Sequence, residues 1–135
     1  MNDCRSALEV AGLDPQVGFL HALRPGRAAL ALDLMEEFRP FADRLALTLV
    51  NRNQLNANDF VVREGGGVFL SPESRKTVVV AYQQRKQEEI IHPLLAQPVA
   101  LGLVPLIQAR LLTRAIRGDK DSDGEPATYV PYFAK

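Results

Sequence analysis

Residues 29–53 constrain the fold more than any other stretch. Leu30, Leu34 and Phe38 recur every fourth residue, and beyond Pro40 the spacing resumes with Phe41, Leu45 and Leu49. That period puts each trio on one helix face. Proline lacks the amide hydrogen a helix interior needs, so Pro40 predicts a kink or short break between helices over 29–38 and 41–53. Such a pair must bury two apolar stripes against further elements. The same run, ALALDLMEEFRP, carries Asp33, Glu36 and Glu37 among its alanines and leucines. A buried carboxylate is costly unless it is paired, hydrogen-bonded or metal-bound. These acids therefore either face water or meet something cationic.

The remaining punctuation predicts a mainly α chain. Residues 3–11 read as the end of a helix, with Asp3 as a cap and Gly12 as a stop. Asp14-Pro15 reads as a helix restart, and Arg24-Pro25-Gly26-Arg27 as a loop. DFVVREGGGVFLS places two short β-like runs around Gly65-Gly66-Gly67, which predicts one small hairpin at about 59–70. Ser71-Pro72 opens a helix expected to reach His92, where Pro93 stops it. Residues 99–117 predict another, with Pro105 as a kink and arginines at the end that suits them. Residues 118–128 are acidic, turn-rich and expected to be mobile, and Tyr129–Phe133 is an apolar tail that could dock on the body. The expected division is a helical body over 1–117 followed by a linker and tail over 118–135.

Composition narrows the class without naming a partner. The 135 residues amount to about one domain, with 16 basic and 16 acidic side chains in balance. Charge is uneven locally: residues 72–117 carry seven basic and three acidic side chains, either a modest basic surface for an anion such as DNA or a solvated helix face. One cysteine, Cys4, forbids an internal disulfide and fits a reducing cytoplasm. No apolar run reaches the ~18 residues that span a bilayer, and MNDCRSALEV has no signal-peptide pattern.

Three constellations bear on chemistry. His21 precedes the acidic helix across a Pro-Gly loop, and Asp33 shares a helix face with both Glu36 and Glu37. An imidazole with one or two carboxylates suits a divalent ion such as Mn²⁺ or Mg²⁺. The same pattern also describes an exposed acidic face beside a surface histidine. Asp119-x-Asp121-x-Asp123-Gly124 begins like a calcium loop, but Val130 stands where the closing glutamate belongs, so it reads as an acidic linker. Glu89-x-x-His92 is a single copy of a motif that di-iron bundles use twice, and it reads as a helix end. Arg75, Lys76, Arg85 and Lys86 on the 72–92 helix could follow a DNA backbone.

At GLDPQVGFLH, RPG and LALDLMEEFRPFADRL the chain resembles the CRISPR-associated adaptation integrase, the first of the numbered CRISPR-associated proteins. The resemblance is dense from Ala7 to about Gln54 and continues through DFVVREGGGVFLSPESRK and AYQQRKQEEIIHP. It implies a helical C-terminal catalytic domain with a Mn²⁺- or Mg²⁺-dependent DNA site. His21 and Glu36 match the family's catalytic, metal-binding pair, and Asp33 matches a further acid of the site. The DNA-contacting candidates are Arg24, Arg27, Arg75, Lys76, Arg85 and Lys86. The implied reaction inserts new spacers into a CRISPR array, by attack of a DNA 3′-hydroxyl on a backbone phosphate. The implied partners are double-stranded DNA (prespacer and CRISPR repeat), CRISPR-associated protein two and a second copy of the full-length chain, with no membrane. The family's β-rich N-terminal domain and an upstream metal-binding glutamate have no counterpart in these residues. The chain is accordingly expected to be a C-terminal portion, inactive alone and monomeric or weakly associating. The alternative is a non-catalytic DNA-binding or assembly module.

Overall fold

A computed structural model describes residues 1–133. Residues 134 and 135 of the expected tail lie outside the described residues. The five helices are α1 (Asn2–Val10), α2 (Ala29–Glu36), α3 (Arg39–Asn51), α4 (Pro72–Gln87) and α5 (Val104–Arg117). Two antiparallel pairs join them, β1 (Phe60–Val62) with β2 (Val68–Leu70) and β3 (Glu89–Ile91) with β4 (Pro98–Ala100). The fold is mainly α, as the apolar periods require. No described helix is long and apolar enough to cross a membrane.

The main core lies where α1, α2 and α5 meet. Leu8 and Ala31 are fully buried there, with Leu30, Leu34 and Ala109 around them. The four-residue period of α2 therefore points into this core. A smaller cluster joins Leu101, Val104 and Tyr132 to Phe38 and Phe41. Tyr132 stacks at 5.8 Å on both Phe38 and Phe41, so the expected docking of the tail is observed. The break between α2 and α3 falls at Glu37-Phe38, and Pro40 occupies the first turn of α3, where its missing amide hydrogen costs nothing.

The sequence expectation fails at 88–103. The helix from Ser71 stops at Gln87, not His92, because Glu88 is extended at ψ 134°. Ile90 pairs with Val99 and Ile91 with Pro98. Branching at Cβ suits these isoleucines to a strand, and Pro93 disfavours helix at the residue before it. A second hairpin results. It delays the last helix to Val104, where Pro105 lies in the first turn and kinks nothing. Glu89 and His92 thus lose the helical spacing of a metal motif. His92 is 1% exposed, and its Nδ1 accepts the Leu95 amide at 3.3 Å. The expected restart at Asp14-Pro15 is also not helical. The loop folds back instead, and the Pro15 carbonyl accepts the amides of Leu30 (2.9 Å) and Ala31 (3.2 Å). A backbone carbonyl thereby caps α2, which has no side-chain cap.

The acidic stretch after α5 is organised by local bonds. Asp121 Oδ1 accepts the amides of Asp123 and Glu125, both at 3.0 Å. Lys120 bridges to Pro126 across the turn. In the β1–β2 hairpin, Gly65 and Gly66 both adopt positive φ (98° and 81°), which a side chain at either site would strain.

Asp3 ties α1 to α4. Tyr82 donates its hydroxyl to Asp3 Oδ2 at 2.5 Å, and Lys86 Nζ lies 3.0 Å from the same oxygen. Burial raises the Asp3 carboxyl, but Tyr82 and Lys86 outweigh it and hold it below its ordinary 3.8. A carboxyl depressed by folding stabilises the protein above its unfolded value, and that contribution is lost as pH falls through the folded value. Asp3→Asn is therefore expected to flatten the fall in thermal stability below about pH 4, measured as Tm between pH 3 and 6.

Candidate active site

The site is built on the outer face of α2 and on the loop that precedes it. Asp33 organises both. Its Oδ2 accepts the amides of Phe19 (2.6 Å) and Leu20 (3.0 Å). Its Oδ1 accepts the amide of His21 at 3.0 Å and lies 2.5 Å from His21 Nδ1. The Asp33 side chain is 8% exposed, while the His21 side chain is 26% exposed. Burial raises the Asp33 carboxyl, but the His21 ring and the three amides overcome it and hold the group below its ordinary value.

Gly18 makes this closeness possible. A Cβ there would stand 2.7 Å from Ala29 Cβ and 2.8 Å from Asp33 Oδ2. No real Cβ sits that near. Gly18→Ala is expected to push the loop off α2 and cost roughly 1–3 kcal/mol. Urea unfolding measures the cost, and a stability within 0.5 kcal/mol of wild type would contradict this packing.

Glu36 stands one turn beyond Asp33 on the same face. Its side chain is 41% exposed, with Arg39 Nη1 at 3.4 Å. It lies on a ridge between two clefts. One, about 650 Å³, is walled by Phe19, Leu20, Asp33 and the tail residues Tyr132 and Phe133. The other, about 490 Å³, runs past Arg39, Tyr82, Arg85 and Lys86. Of the three expected site residues, the structure brings His21 and Asp33 into contact and leaves Glu36 open to solvent. Among the described residues, no three of His, Cys, Asp and Glu converge on a point that could hold a metal ion. The donor chemistry nonetheless fits a divalent cation in part. The second nitrogen of His21 and the carboxylate of Glu36 suit a hard or borderline ion, and both can still take one. The Asp33 oxygens are already committed to the loop.

The expected basic residues divide into two groups. Arg24, Arg75 and Lys76 are exposed, and Arg27 is half-buried at the loop end. Arg85 pairs with Glu88, and Lys86 pairs with Asp3. A phosphate at either of these last two would compete with an acid.

Glu37 is the acid whose role spacing did not reveal. Gln108 Nε2 donates to its Oε2 at 2.9 Å, the Tyr132 amide donates to Oε2 at 2.8 Å, and the Tyr129 hydroxyl donates to Oε1. Burial and then Glu37 push the Tyr129 hydroxyl above its ordinary range. The tail is thereby fastened to the end of α2, directly beside Glu36. The apolar character of the tail signalled docking, but nothing local pointed to Glu37 as the partner.

Known proteins resemble this chain in sequence and in fold. The family described as CRISPR associated protein Cas1 matches residues 1–84. The CRISPR-associated endonuclease Cas1 1 of Moorella thermoacetica is 59% identical over 134 residues, which is 98% of this chain and 37% of that protein. A casposase bound to integration product superposes with a TM-score of 0.80 at 25% identity, over 96% of this chain and 35% of the other. A chain of a Cas6-RT-Cas1–Cas2 complex superposes with a TM-score of 0.71 at 25% identity, over 95% of this chain and 14% of the other. The chain thus spans about a third of the length of the curated relative. With a family match over more than half of its residues, the chain belongs to the Cas1 family of CRISPR-associated proteins.

Proposed function

We propose that this chain is the catalytic-domain portion of a metal-dependent DNA integrase and endonuclease that inserts spacers into a CRISPR array. The observation that carries the reading is the pairing of a fixed imidazole, His21 on Asp33, with the open carboxylate of Glu36 on the same helix. Names among the relatives support it, an endonuclease and a casposase carrying its integration product. His21 and Glu36 would hold Mn²⁺ or Mg²⁺. A bound divalent ion supplies charge neutralisation at the reacting phosphate and favours an oxygen nucleophile. In the reaction, a DNA 3′-oxygen forms a bond to phosphorus, the bond from phosphorus to the array strand's 3′-oxygen breaks, and the proton of the attacking hydroxyl ends on the leaving oxygen. Arg24, Arg27, Arg75 and Lys76 would meet phosphates, which adds affinity without reading sequence. The similar chain of a Cas6-RT-Cas1–Cas2 complex supports CRISPR-associated protein two as a partner. Double-stranded prespacer and repeat DNA, and a homodimer of the longer protein, complete the proposed assembly.

The test is strand transfer by the longer protein that contains these residues, with Mn²⁺ or with chelator. Joining that chelator abolishes is expected, and joining that chelator leaves intact would overturn the metal-dependent reading. Among the described residues no three metal-ligating side chains converge, which favours a second reading, a DNA-binding or assembly module without chemistry. Salt-sensitive DNA binding that ignores both metal and His21→Ala, with no joining, would establish that reading.

A further inference from the structure

We infer that Asp33 is a positioning residue, which fixes the tautomer of His21 so that Nε2 is the nitrogen left free. The inference deepens the reading above and rests on it for its purpose, though not for its geometry. A carboxylate only accepts hydrogen bonds. The 2.5 Å contact to Asp33 Oδ1 therefore requires the proton on His21 Nδ1. In the neutral ring Nε2 then carries a lone pair, on a side chain 26% exposed to the approaching ligand. Three backbone amides fill the rest of the Asp33 carboxylate and hold the loop that carries the ring. A carboxylate so engaged orients a ligand rather than serving as one.

The chain contains a built-in comparison. It has two histidines, and the surroundings of the second demand the opposite tautomer. His92 Nδ1 accepts the Leu95 amide, so its proton resides on Nε2. Two imidazoles of one chain are thus held in opposite forms, one by a carboxylate and one by a backbone amide.

Long-range ¹H–¹⁵N correlation of the imidazoles decides the matter without DNA, metal or turnover. At a pH about two units above the ordinary histidine value near 6.5, His21 is expected to show a protonated Nδ1 and His92 a protonated Nε2. Asp33→Asn presents one acceptor and one donor, and its amide can donate to Nδ1. That variant is expected to move the His21 proton toward Nε2 while His92 keeps its pattern. Mn²⁺ affinity, read from the electron-spin signal of the free ion, is expected to fall about 10–100-fold. His21 found with a protonated Nε2 in the wild type, or unchanged in Asp33→Asn, overturns the inference. The expected tautomer in a protein that binds no Mn²⁺ removes the metal reading and leaves the positioning role standing.

Discussion

Glu36→Gln, made in a full-length Cas1 protein carrying these residues, is expected to lower strand transfer about 1000-fold and leave the fold unchanged. The substitution keeps shape and hydrogen-bonding capacity but removes the charge. If Glu36 holds the divalent ion, losing it removes several kcal/mol of charge stabilisation in the transition state, and about 4 kcal/mol corresponds to three powers of ten in rate. Stability should hardly move, because the side chain is 41% exposed and its contact is Arg39 at 3.4 Å. An exposed pair of that kind contributes less than about 1 kcal/mol. Single-turnover joining with a labelled 3′-hydroxyl duplex measures the first effect, and thermal unfolding measures the second. A rate within tenfold of wild type would remove Glu36 from the metal set.

The next residue is expected to behave in the opposite way. Glu37→Ala should cost roughly 2–4 kcal/mol of stability, because it strands several donors in a partly buried setting, each worth about 1–3 kcal/mol when unsatisfied. Gln108 is 1% exposed and keeps other acceptors, the Val130 carbonyl at 3.1 Å and the Tyr129 hydroxyl at 3.2 Å. The Tyr132 amide and the Tyr129 hydroxyl lose their acceptor outright. Denaturant unfolding of the variant, compared with Tyr129→Phe, separates the carboxylate from the hydroxyl. A cost below 1 kcal/mol would mean that the tail is held by the stacking of Tyr132 alone. Two adjacent glutamates thus differ in kind, one open to solvent and the other bound into the architecture.

That difference marks the limit of what spacing conveys. Leu30, Leu34 and Phe38 were legible as a buried stripe because a helix repeats its own geometry. The first hairpin was legible because its three glycines interrupt two β-branched runs. The second hairpin was not, since Glu88–Ile91 extends a helical pattern, and the local signals against it, two isoleucines and Pro93, decide the matter only with the pairing to Pro98–Ala100. In the site, His21 and the acids were visible as residue types, but which oxygen meets which amide was not. Asp33 resembled a ligand by spacing, and only the folded loop shows its oxygens occupied. Glu37 was one of three equivalent acids until Gln108 and the tail reached it.

The fastening of the tail to Glu37 joins residues 92 and 95 positions apart in the chain. During synthesis, the end of α2 therefore waits for its last hydrogen bonds until the tail has been made. At about 5–20 residues per second, that delay is roughly 5–20 s. Glu37, the neighbour of Glu36, stays unfastened on this side until Tyr129 and Tyr132 have been made. The helix end beside the exposed Glu36 is thereby completed late, after the helices that form the main core have been made.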